Sequence, residues 1–516
     1  MVAAAGFLLA RLIPDIHGKP LFEDEAVAGM IGARPLGEIL VTTIWERGGA
    51  PLHFVLTHLA FVFNTSPEAL RWLSVVFAVA TLPLCYDLGR RLDGYAAGAA
   101  AAAVAAGSGM LAVYGSFGRM YALFAFVAAL AADLFVRALE QRTGRAALAA
   151  AGAAWLLPAV HPYGGIVLAV EVLVALAVWR GRPLRPALPA AAVVLAAVPF
   201  AVADLRLAER FEVSQGAERR LASPGEGWEQ LELAVRGFGG GEGILLLAFL
   251  AFALTGAVVV ARRQPAFVAL ALIALVAPPA LSILVRTERA PDLSPRHLIF
   301  GLPFWAAFVA VGVTWAAATF GSRWKAPAVA AIAVIAALAP QGIVDPRSVT
   351  YTARLGTEEA LTAPADWLKR RVDTGDVLYP YSSVYLAALS QTGLGLGLPR
   401  AQARSLVDAA KRADYPVDHL FVAVPTGNTA ARVAPVRRQF GTVIEFRQFR
   451  SWLLIRLNGP FRTEAGLLTA IDRALAAVVP APNAQVPQVL VDWFTLNSDV
   501  LCDALRKLDS RCVRQP

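Results

Sequence analysis

Three consecutive acidic residues, Glu23, Asp24 and Glu25, follow the first apolar segment of the chain. Carboxylates are costly to keep ionised beside a lipid bilayer, so their presence here indicates chemistry more than solubility. A second interpretation stays open, because acidic residues also stabilise the positive N-terminal end of a helix that starts at them. The cluster is the first candidate for a functional site.

Two arginines stand at the ends of later apolar segments. Arg119 lies in the sequence Ser-Phe-Gly-Arg-Met-Tyr, and Arg296 lies in Ser-Pro-Arg-His-Leu. A planar guanidinium can bind two oxygens of an anion while its aliphatic stem remains in lipid. The alternative for Arg296 is an arginine that merely snorkels at a helix end, and for Arg119 a structural ion pair with the acids.

Histidines and tyrosines occur at similar places. His161 and Tyr163 lie in a short break between two apolar segments, Tyr121 follows Arg119 closely, and His53 lies in the first polar region. These side chains suit hydrogen bonding to a polar substrate, although a single histidine at a helix end is more often satisfied structurally. Their spacing does not predict a zinc site.

The elements that must position these residues are membrane helices. Hydrophobic residues form 57% of the 516 positions and charged residues only 16%, and apolar runs recur to about residue 344. This composition predicts a polytopic membrane protein with a mainly helical fold. The net charge of +9 comes largely from arginines between the apolar runs, so it indicates membrane orientation and not nucleic acid binding.

Apolar windows of membrane-spanning length predict about 11 helices. The opening segment, Val2 to Ile13, is short for a full crossing, and a cleaved signal peptide is disfavoured because no basic stretch precedes it. The ten other spans are predicted at 67–89, 94–113, 120–138, 146–160, 163–179, 187–205, 244–261, 266–286, 297–319 and 326–344.

Arginine-rich connections alternate along the chain, from Arg90 and Arg91 to Arg323 and Lys325. Positive charge marks cytoplasmic loops, so the N-terminus is predicted to be cytoplasmic in a plasma membrane. The regions predicted to face outward are the first loop at 14–66, the turns that contain Arg119 and His161, the long loop at 206–243, the link at 287–296, and the chain after 345.

The apolar stretch from Pro51 to Asn64 is too short to cross the membrane. We therefore expect residues 24–64 to form juxtamembrane helices at the outer surface, as part of a cavity. The long loop at 206–243 is expected to cap the same cavity, with Trp228 and Phe238 either stacked on a sugar or lying on the bilayer surface.

Residues 345–516 have the composition of a small extracytoplasmic α/β domain, after a membrane domain at 1–344. Cys502 and Cys512 could pair across a short loop in an oxidising compartment, whereas Cys85 lies in a span. Strands are predicted at Asp376–Tyr379, His419–Val424, Thr442–Phe446 and Trp452–Leu457, with helices at Thr357–Arg371, 401–412, 428–439 and 462–478.

Six motifs occur in the order seen in GT-C glycosyltransferases, and the resemblance covers roughly residues 1–345. Within that superfamily the chain resembles the branch of the protein O-mannosyltransferases and the lipid A aminoarabinose transferase, and is similar to glycosyltransferase family 39. The motifs are Asp24-Glu25-Ala26, Pro51-Leu52-His53, Ala69-Leu70-Arg71, Ser116 to Tyr121, His161-Pro162-Tyr163 and Ser294 to Leu298.

The resemblance implies inverting transfer of a sugar from a polyprenyl-phosphate donor to an acceptor hydroxyl of a glycan, lipid or protein at the outer face. By position it implies Asp24 as general base and Glu25 as a positioning or metal-associated group. Arg296 becomes the leading ligand of the donor phosphate and Arg119 a second one. The contacts with substrate would come from His53, His161, Tyr163 and Tyr121.

Many relatives carry an acid shortly before the arginine of the outer turn, where this chain has Phe117 and Gly118. We therefore predict no obligatory metal cofactor, since a monophosphate donor needs less charge neutralisation than a diphosphate. Two other function classes stay open, a scaffold that binds cell-wall polymer without catalysis and, less favoured, a transporter. The sugar stays open among mannose, arabinose and related sugars.

Overall fold

In a computed structural model the chain forms two compact units. The first unit consists of Met1–Gly18, Arg34–Asn64 and Glu68–Val344. The second unit consists of Lys19–Ala33, Thr65–Pro67 and Asp345–Pro516. We describe each unit by itself. The structure describes residues 1–17, 22–46, 50–179, 188–200, 202–203, 224–284, 293–340, 342–343, 363–364, 366–368, 370–373, 376–379, 406–411, 413, 415–425, 444–449, 452–477 and 501–508.

The first unit is helical in its described part, and apolar residues dominate most of its helices. Three short helices lie in the region that the sequence predicts to be juxtamembrane, and their position at the membrane surface stays a prediction. The helices, numbered along the whole chain, are α1 (Val2–Ile16), α2 (Glu23–Gly32, which belongs to the second unit), α3 (Leu36–Glu46), α4 (Leu52–Phe61), α5 (Pro67–Gly107), α6 (Gly109–Tyr114), α7 (Tyr121–Gln141), α8 (Gly144–Val160), α9 (Tyr163–Trp179), α10 (Leu188–Leu195), α11 (Pro224–Phe238), α12 (Gly243–Ala261), α13 (Pro265–Leu284), a 3-10 helix (Pro295–Gly301), α14 (Leu302–Thr319), a short 3-10 turn (Ser322–Trp324) and α15 (Lys325–Leu338).

These helices confirm the mainly helical fold class, and in the described part of the chain helices lie at the predicted spans, although the span predicted at 94–113 is divided between the end of α5 and α6. Among the described residues, four segments are long and apolar enough to cross a bilayer alone: α5, α7, α12, and the 3-10 helix with α14. Shorter apolar helices, including α8, α9 and α13, accompany them. A total of 11 crossings stays a prediction.

Helix α5 is interrupted where the sequence predicts a cytoplasmic connection. Asp93 and Gly94 leave the helical conformation, and Gly94 has φ +85°, a value that glycine adopts without a steric cost. Just before this kink, Asp87 pairs with Arg90, Arg91 and Arg137. Arg137 of α7 thereby joins α7 to α5, and Arg91 of α5 also pairs with Asp133 and Glu140 of α7.

Helices α12 and α14 approach each other closely because glycines face the contact. A Cβ atom at Gly256 would lie 1.9 Å from the carbonyl oxygen of Phe308, and a Cβ atom at Gly312 would lie 2.0 Å from that of Phe252. Small residues allow backbones to approach in this way in membrane bundles. Helix α14 is buried along most of its length and continues the 3-10 helix that carries Arg296.

The long loop predicted at 206–243 contains helix α11, and residues 204–223 lie outside the described part. Phe238, which we expected to face a sugar or the bilayer surface, is instead fully buried against Trp305. That expectation was wrong because α11 packs against other helices of the first unit, which cover the Phe238 ring. Trp228 is 46% exposed.

The second unit contains a four-stranded sheet with the order β1-β2-β4-β3. Strands β1 and β2 are parallel, and β4 is antiparallel to both β2 and β3. The elements after residue 345 are β1 (Val377–Tyr379), α16 (Leu406–Lys411), β2 (Val417–Pro425), β3 (Ile444–Gln448), β4 (Trp452–Phe461) and α17 (Glu464–Ala477).

All four predicted strands are confirmed. One face of the sheet forms an apolar core with α17, through residues such as Leu420, Ile455 and Leu468. Cys502 is disulfide-bonded, whereas Cys85 is a free, buried thiol. Cys512, the predicted partner of Cys502, and the helix predicted at 428–439 lie outside the described residues.

Candidate functional site

The turn between α6 and α7 holds the first arginine of the candidate site. Buried Ser74 of α5 donates its hydroxyl proton to the carbonyl oxygen of Phe117 at 2.7 Å. The backbone N–H of Arg119 donates to the same carbonyl at 2.6 Å. Ser116 and Phe117 are fully buried, so the bond from Ser74 holds the buried side of the turn. Arg119 is partly exposed.

Aromatic and histidine rings from four segments meet beside this turn. His161 ends α8, Tyr163 begins α9, Tyr121 begins α7, and His297 lies in the 3-10 helix. The His161 and His297 ring centroids are 5.2 Å apart, and the Tyr163 ring stacks on His297 at 5.2 Å. The Tyr121 ring lies 6.1 Å from His161. The structure thus brings together three residues that the sequence predicted separately.

Arg296 joins the same cluster. Its guanidinium carbon lies 5.7 Å from the centre of the Tyr121 ring. The positive charges of Arg119 and Arg296 both act on His161. The two arginines predicted to bind an anion are therefore both near enough to one buried histidine to lower its pKa, although 177 residues separate them in the chain.

His161 is held neutral in this position. Burial is the main reason that its pKa lies well below the usual value, and the charges of His297, Arg119 and Arg296 lower the pKa further. Its Nδ1 accepts the backbone N–H of Tyr163 at 3.1 Å, so the ring proton is assigned to Nε2. The cluster thus combines two permanent cations with a neutral N–H donor, which suits an oxyanion such as a phosphate.

His53 connects helix α4 to the same turn. Its side chain is only 2% exposed, and burial lowers its pKa to about 3, with a further decrease from the charge of Arg119. A hydrogen bond with the Gly118 backbone opposes this shift. Predicted site residues from the first outer region and from the second outer turn are therefore neighbours.

The acidic residues lie on α2, in the second unit. The carboxylate of Glu25 is buried and accepts the backbone N–H of Phe22 at 2.9 Å, as expected for an acid in the first turn of a helix. Asp24 precedes it in the same turn and is partly exposed. The predicted meeting of Asp24 with Arg296 stays a prediction.

No protein-family model matches this chain, and no curated protein matches it. Several solved structures are similar to it in fold. The apo structure of ArnT from Cupriavidus metallidurans is 13% identical, with a TM-score of 0.56 over 89% of this chain and 98% of that chain. The undecaprenyl phosphate complex of the same ArnT has a TM-score of 0.55 at 13% identity and the same coverage.

The archaeal oligosaccharyltransferase AglB from Archaeoglobus fulgidus, in complex with an inhibitory peptide and a dolichol-phosphate, is also similar. It is 13% identical, with a TM-score of 0.51 over 82% of this chain and 68% of that chain. The chain has the GT-C fold. The fold class predicted from the sequence is thereby confirmed, and the fold together with the apolar helices places the protein in a membrane.

Outside the GT-C bundle, Asp373, Asp376 and His419 have oxygen and nitrogen atoms within 4.8 Å of one another. Nδ1 of His419 bonds to Asp376 at 2.8 Å, and Nε2 bonds to the Arg456 guanidinium at 2.8 Å. Both ring nitrogens are thus engaged, and Asp376 also accepts the backbone N–H of Asp373 at 2.8 Å. We interpret this group as a structural hydrogen-bond network and not as a metal site.

Two residues of the candidate site received no role from the sequence alone. His297 stacks on Tyr163, and its Nδ1 accepts the backbone N–H of Ser294 at 3.2 Å. Its place directly after Arg296 was a usable signal. Ser74 lies inside an apolar span, and nothing in its local sequence indicates that it supports a turn 43 residues later.

Proposed function

We propose that this GT-C protein is a glycosyltransferase that moves a sugar from a polyprenyl-phosphate donor to an acceptor hydroxyl at the outer face of the membrane. The observation that carries the proposal is the convergence of Arg119 and Arg296 on neutral His161. Such a group of donors can hold a phosphate, and half-buried guanidiniums hold it more strongly than exposed ones. An acceptor glycan, lipid or protein would approach from the outer side.

In the proposed reaction the acceptor oxygen forms a bond to the anomeric carbon, and the bond between that carbon and the phosphate oxygen breaks with inversion. The polyprenyl phosphate leaves with one additional negative charge. Arg296 and Arg119 would stabilise this developing charge, and Nε2–H of His161 would donate a hydrogen bond to it. Tyr121 and Tyr163 would shape the walls of the site around the sugar and phosphate.

Asp24 is the proposed general base, which takes the proton from the acceptor hydroxyl. Adjacent residues of a helix point about 100° apart, so Asp24 and Glu25 cannot serve one reacting atom in the same way. The bond from Phe22 to Glu25 supports a positioning role for Glu25, because it fixes the first turn of α2. Asp24 follows the helix start by one residue and would be oriented by that turn.

We further propose that no divalent cation is obligatory. Two arginine charges act at the same histidine, and the leaving group is a monophosphate. The ArnT and AglB structures that share the fold were solved with undecaprenyl phosphate and with a dolichol-phosphate, respectively. These neighbours support a polyprenyl-phosphate donor for this chain, with a cytoplasmic N-terminus and an extracytoplasmic C-terminal domain as the proposed orientation.

The test is transfer from a panel of radiolabelled undecaprenyl-phosphate sugars, including mannose and arabinose, in membranes that contain the wild type or Asp24→Asn. We expect one donor to be used by the wild type, and the variant to bind undecaprenyl phosphate normally but to lose at least about 100-fold in transfer rate. Asp15→Asn, on α1, is the matched control. Normal transfer by Asp24→Asn would remove Asp24 from the mechanism, and a wild type that binds lipid without transfer would favour the scaffold.

A further inference from the structure

Helix α4 presents two buried polar side chains on one face. His53 and Thr57 are four residues apart, so they are neighbours on the helix surface. Their exposed fractions are 2% and 0%. The same helix carries Leu59 on another face, where it is 53% exposed, so α4 places its polar pair inward and apolar surface outward.

Each side chain of this pair has one polar atom that is unsatisfied within the described part of the chain. Nε2 of His53 and Oγ1 of Thr57 are buried without a hydrogen-bond partner. Buried helical threonines elsewhere bond to the carbonyl four residues before them. Thr43 does so with Ile39 at 2.7 Å, and Thr81 does so with Phe77 at 2.8 Å.

Thr57 is therefore different from comparable threonines in the same unit. An unsatisfied buried hydroxyl carries a desolvation cost, and valine has nearly the same shape without that cost. The hydroxyl of Thr57 thus weakens the fold and needs another role. Binding a ligand that supplies the absent hydrogen bond would be such a role.

The available chemistry of the pair can be assigned. The hydrogen bond between His53 and the Gly118 backbone raises the His53 pKa, as a bond donated by the ring does. Nε2 has no partner, so Nδ1 is the donor to Gly118 and Nε2 remains an acceptor. The Thr57 hydroxyl can donate or accept. Together they complement a hydroxyl group, which also donates and accepts.

The position of the pair indicates which hydroxyl it would bind. His53 contacts Gly118, and the charge of the next residue, Arg119, acts on it. In a polyprenyl-phosphate donor the sugar is bonded directly to the phosphate. The lipid chain is bonded to the same phosphate but carries no hydrogen-bonding groups, so a polar pair beside the proposed phosphate site complements the sugar hydroxyls and not the lipid chain.

We propose that His53 and Thr57 form a hydroxyl-binding pair that recognises the sugar of the donor. This inference rests on the proposed function and assigns a specificity role within it. Both atoms are closed to water in the structure, so α4 must shift outward when the sugar enters. The helix has ten residues and packs against α3 and α8, so the shift would change its packing against these two helices.

The experiment measures equilibrium binding to purified protein of three probes: undecaprenyl phosphate, undecaprenyl-phosphate-mannose and undecaprenyl-phosphate-arabinose. The variants are Thr57→Val and Thr57→Ser, with Thr43→Val as the matched control because its hydroxyl is already bonded within its own helix. We expect the wild type to prefer one sugar lipid over the bare phosphate lipid. Thr57→Val should lose roughly tenfold in that preference, and Thr57→Ser and Thr43→Val should retain it.

A thermal melt of each variant separates recognition from a structural role. Thr57→Val should melt at or above the wild-type temperature, since it removes an unsatisfied buried hydroxyl. A lower melting temperature, weaker binding of the bare phosphate lipid, or an unchanged sugar preference in Thr57→Val would overturn the inference. So would a wild type that prefers neither sugar. A wild type that fails to bind undecaprenyl phosphate would instead refute the proposed function itself.

Discussion

The contact between α12 and α14 allows a quantitative prediction. A Cβ atom at Gly256 would lie 1.9 Å from the carbonyl oxygen of Phe308, whereas a normal carbon–oxygen contact is about 3.3 Å or more. The Gly256→Ala substitution therefore forces the two helices apart by on the order of 1 Å. Gly312 meets the backbone of Phe252 in the same way, so the facing helix cannot yield by a side-chain rotation.

Overpacking of this kind costs about 2–3 kcal/mol, and we expect the melting temperature of Gly256→Ala in detergent to fall by about 3–6 °C. The control is Gly152→Ala on α8, where a Cβ atom meets nothing within 4 Å. There alanine should be neutral or stabilise the helix by roughly 0.5–1 kcal/mol. A Gly256→Ala protein as stable as Gly152→Ala would refute the close approach of the two helices.

The same substitution should affect the site. Helix α14 continues the 3-10 helix that carries Arg296, so a displaced α14 displaces the guanidinium. We expect sugar transfer by Gly256→Ala to fall by about tenfold or more at temperatures below the melt. Transfer at the wild-type rate in a destabilised variant would show that the site does not depend on the position of α14.

Three further predictions concern single groups. Arg296→Gln should lower the affinity for undecaprenyl phosphate by about tenfold or more. Arg296→Lys should retain part of this affinity, because lysine keeps the charge without the planar fork. Equal affinities of the two variants in a titration would contradict this. The free energy of unfolding should fall by on the order of 3 kcal/mol between pH 7 and pH 4 because of His53. Its pKa is about 3 in the folded state and about 6.5 in the unfolded state, so the unfolded state binds the proton first as the pH falls. His53→Asn should remove this part of the pH dependence in denaturation curves, and an unchanged slope would count against the burial. Cys502→Ser should lower the stability of the second unit by about 2–4 kcal/mol, and so should reduction of the wild type. Cys502→Ser itself should not respond to reductant, whereas the control Cys85→Ser, which replaces a free cysteine and keeps the disulfide, should lose stability on reduction as the wild type does.

The sequence was most informative where apolar length decides the structure. The span predicted at 163–179 is α9, and the one predicted at 244–261 is α12 to within one residue. An uninterrupted apolar run in lipid must form a helix because its backbone groups have no other partners. The predicted strands were similarly marked, since β-branched and aromatic residues cluster in them.

The site could be predicted as a set of residues but not as a geometry. Arg119, His161 and Arg296 each stand at a segment end, and the predicted topology places these ends on one face. Their convergence depends on side-chain packing that the sequence does not encode locally, such as the bond from Ser74 to Phe117. Phe238 was misassigned for the same reason, because only the packing of α11 reveals that its ring is buried.

Helix α2 shows a further limit. The sequence grouped Asp24 with the membrane domain, whereas the contacts of residues 19–33 group it with the chain after 345. Contacts between residues far apart in sequence determine such a grouping, and they leave no local pattern. The unsatisfied hydroxyl of Thr57 is equally invisible, because a buried threonine that bonds to its own helix has the same sequence signature.

The most direct measurement for the whole account is the affinity of the purified protein for undecaprenyl phosphate, with and without the paired substitutions Arg119→Gln and Arg296→Gln. Charge-assisted hydrogen bonds contribute about 1.5–3 kcal/mol each, so the double variant should bind at least about 100-fold more weakly. Arg323→Gln, on the predicted cytoplasmic side, should bind like the wild type. If the double variant binds as tightly as the wild type, the two arginines do not form the phosphate site and the proposed mechanism is wrong.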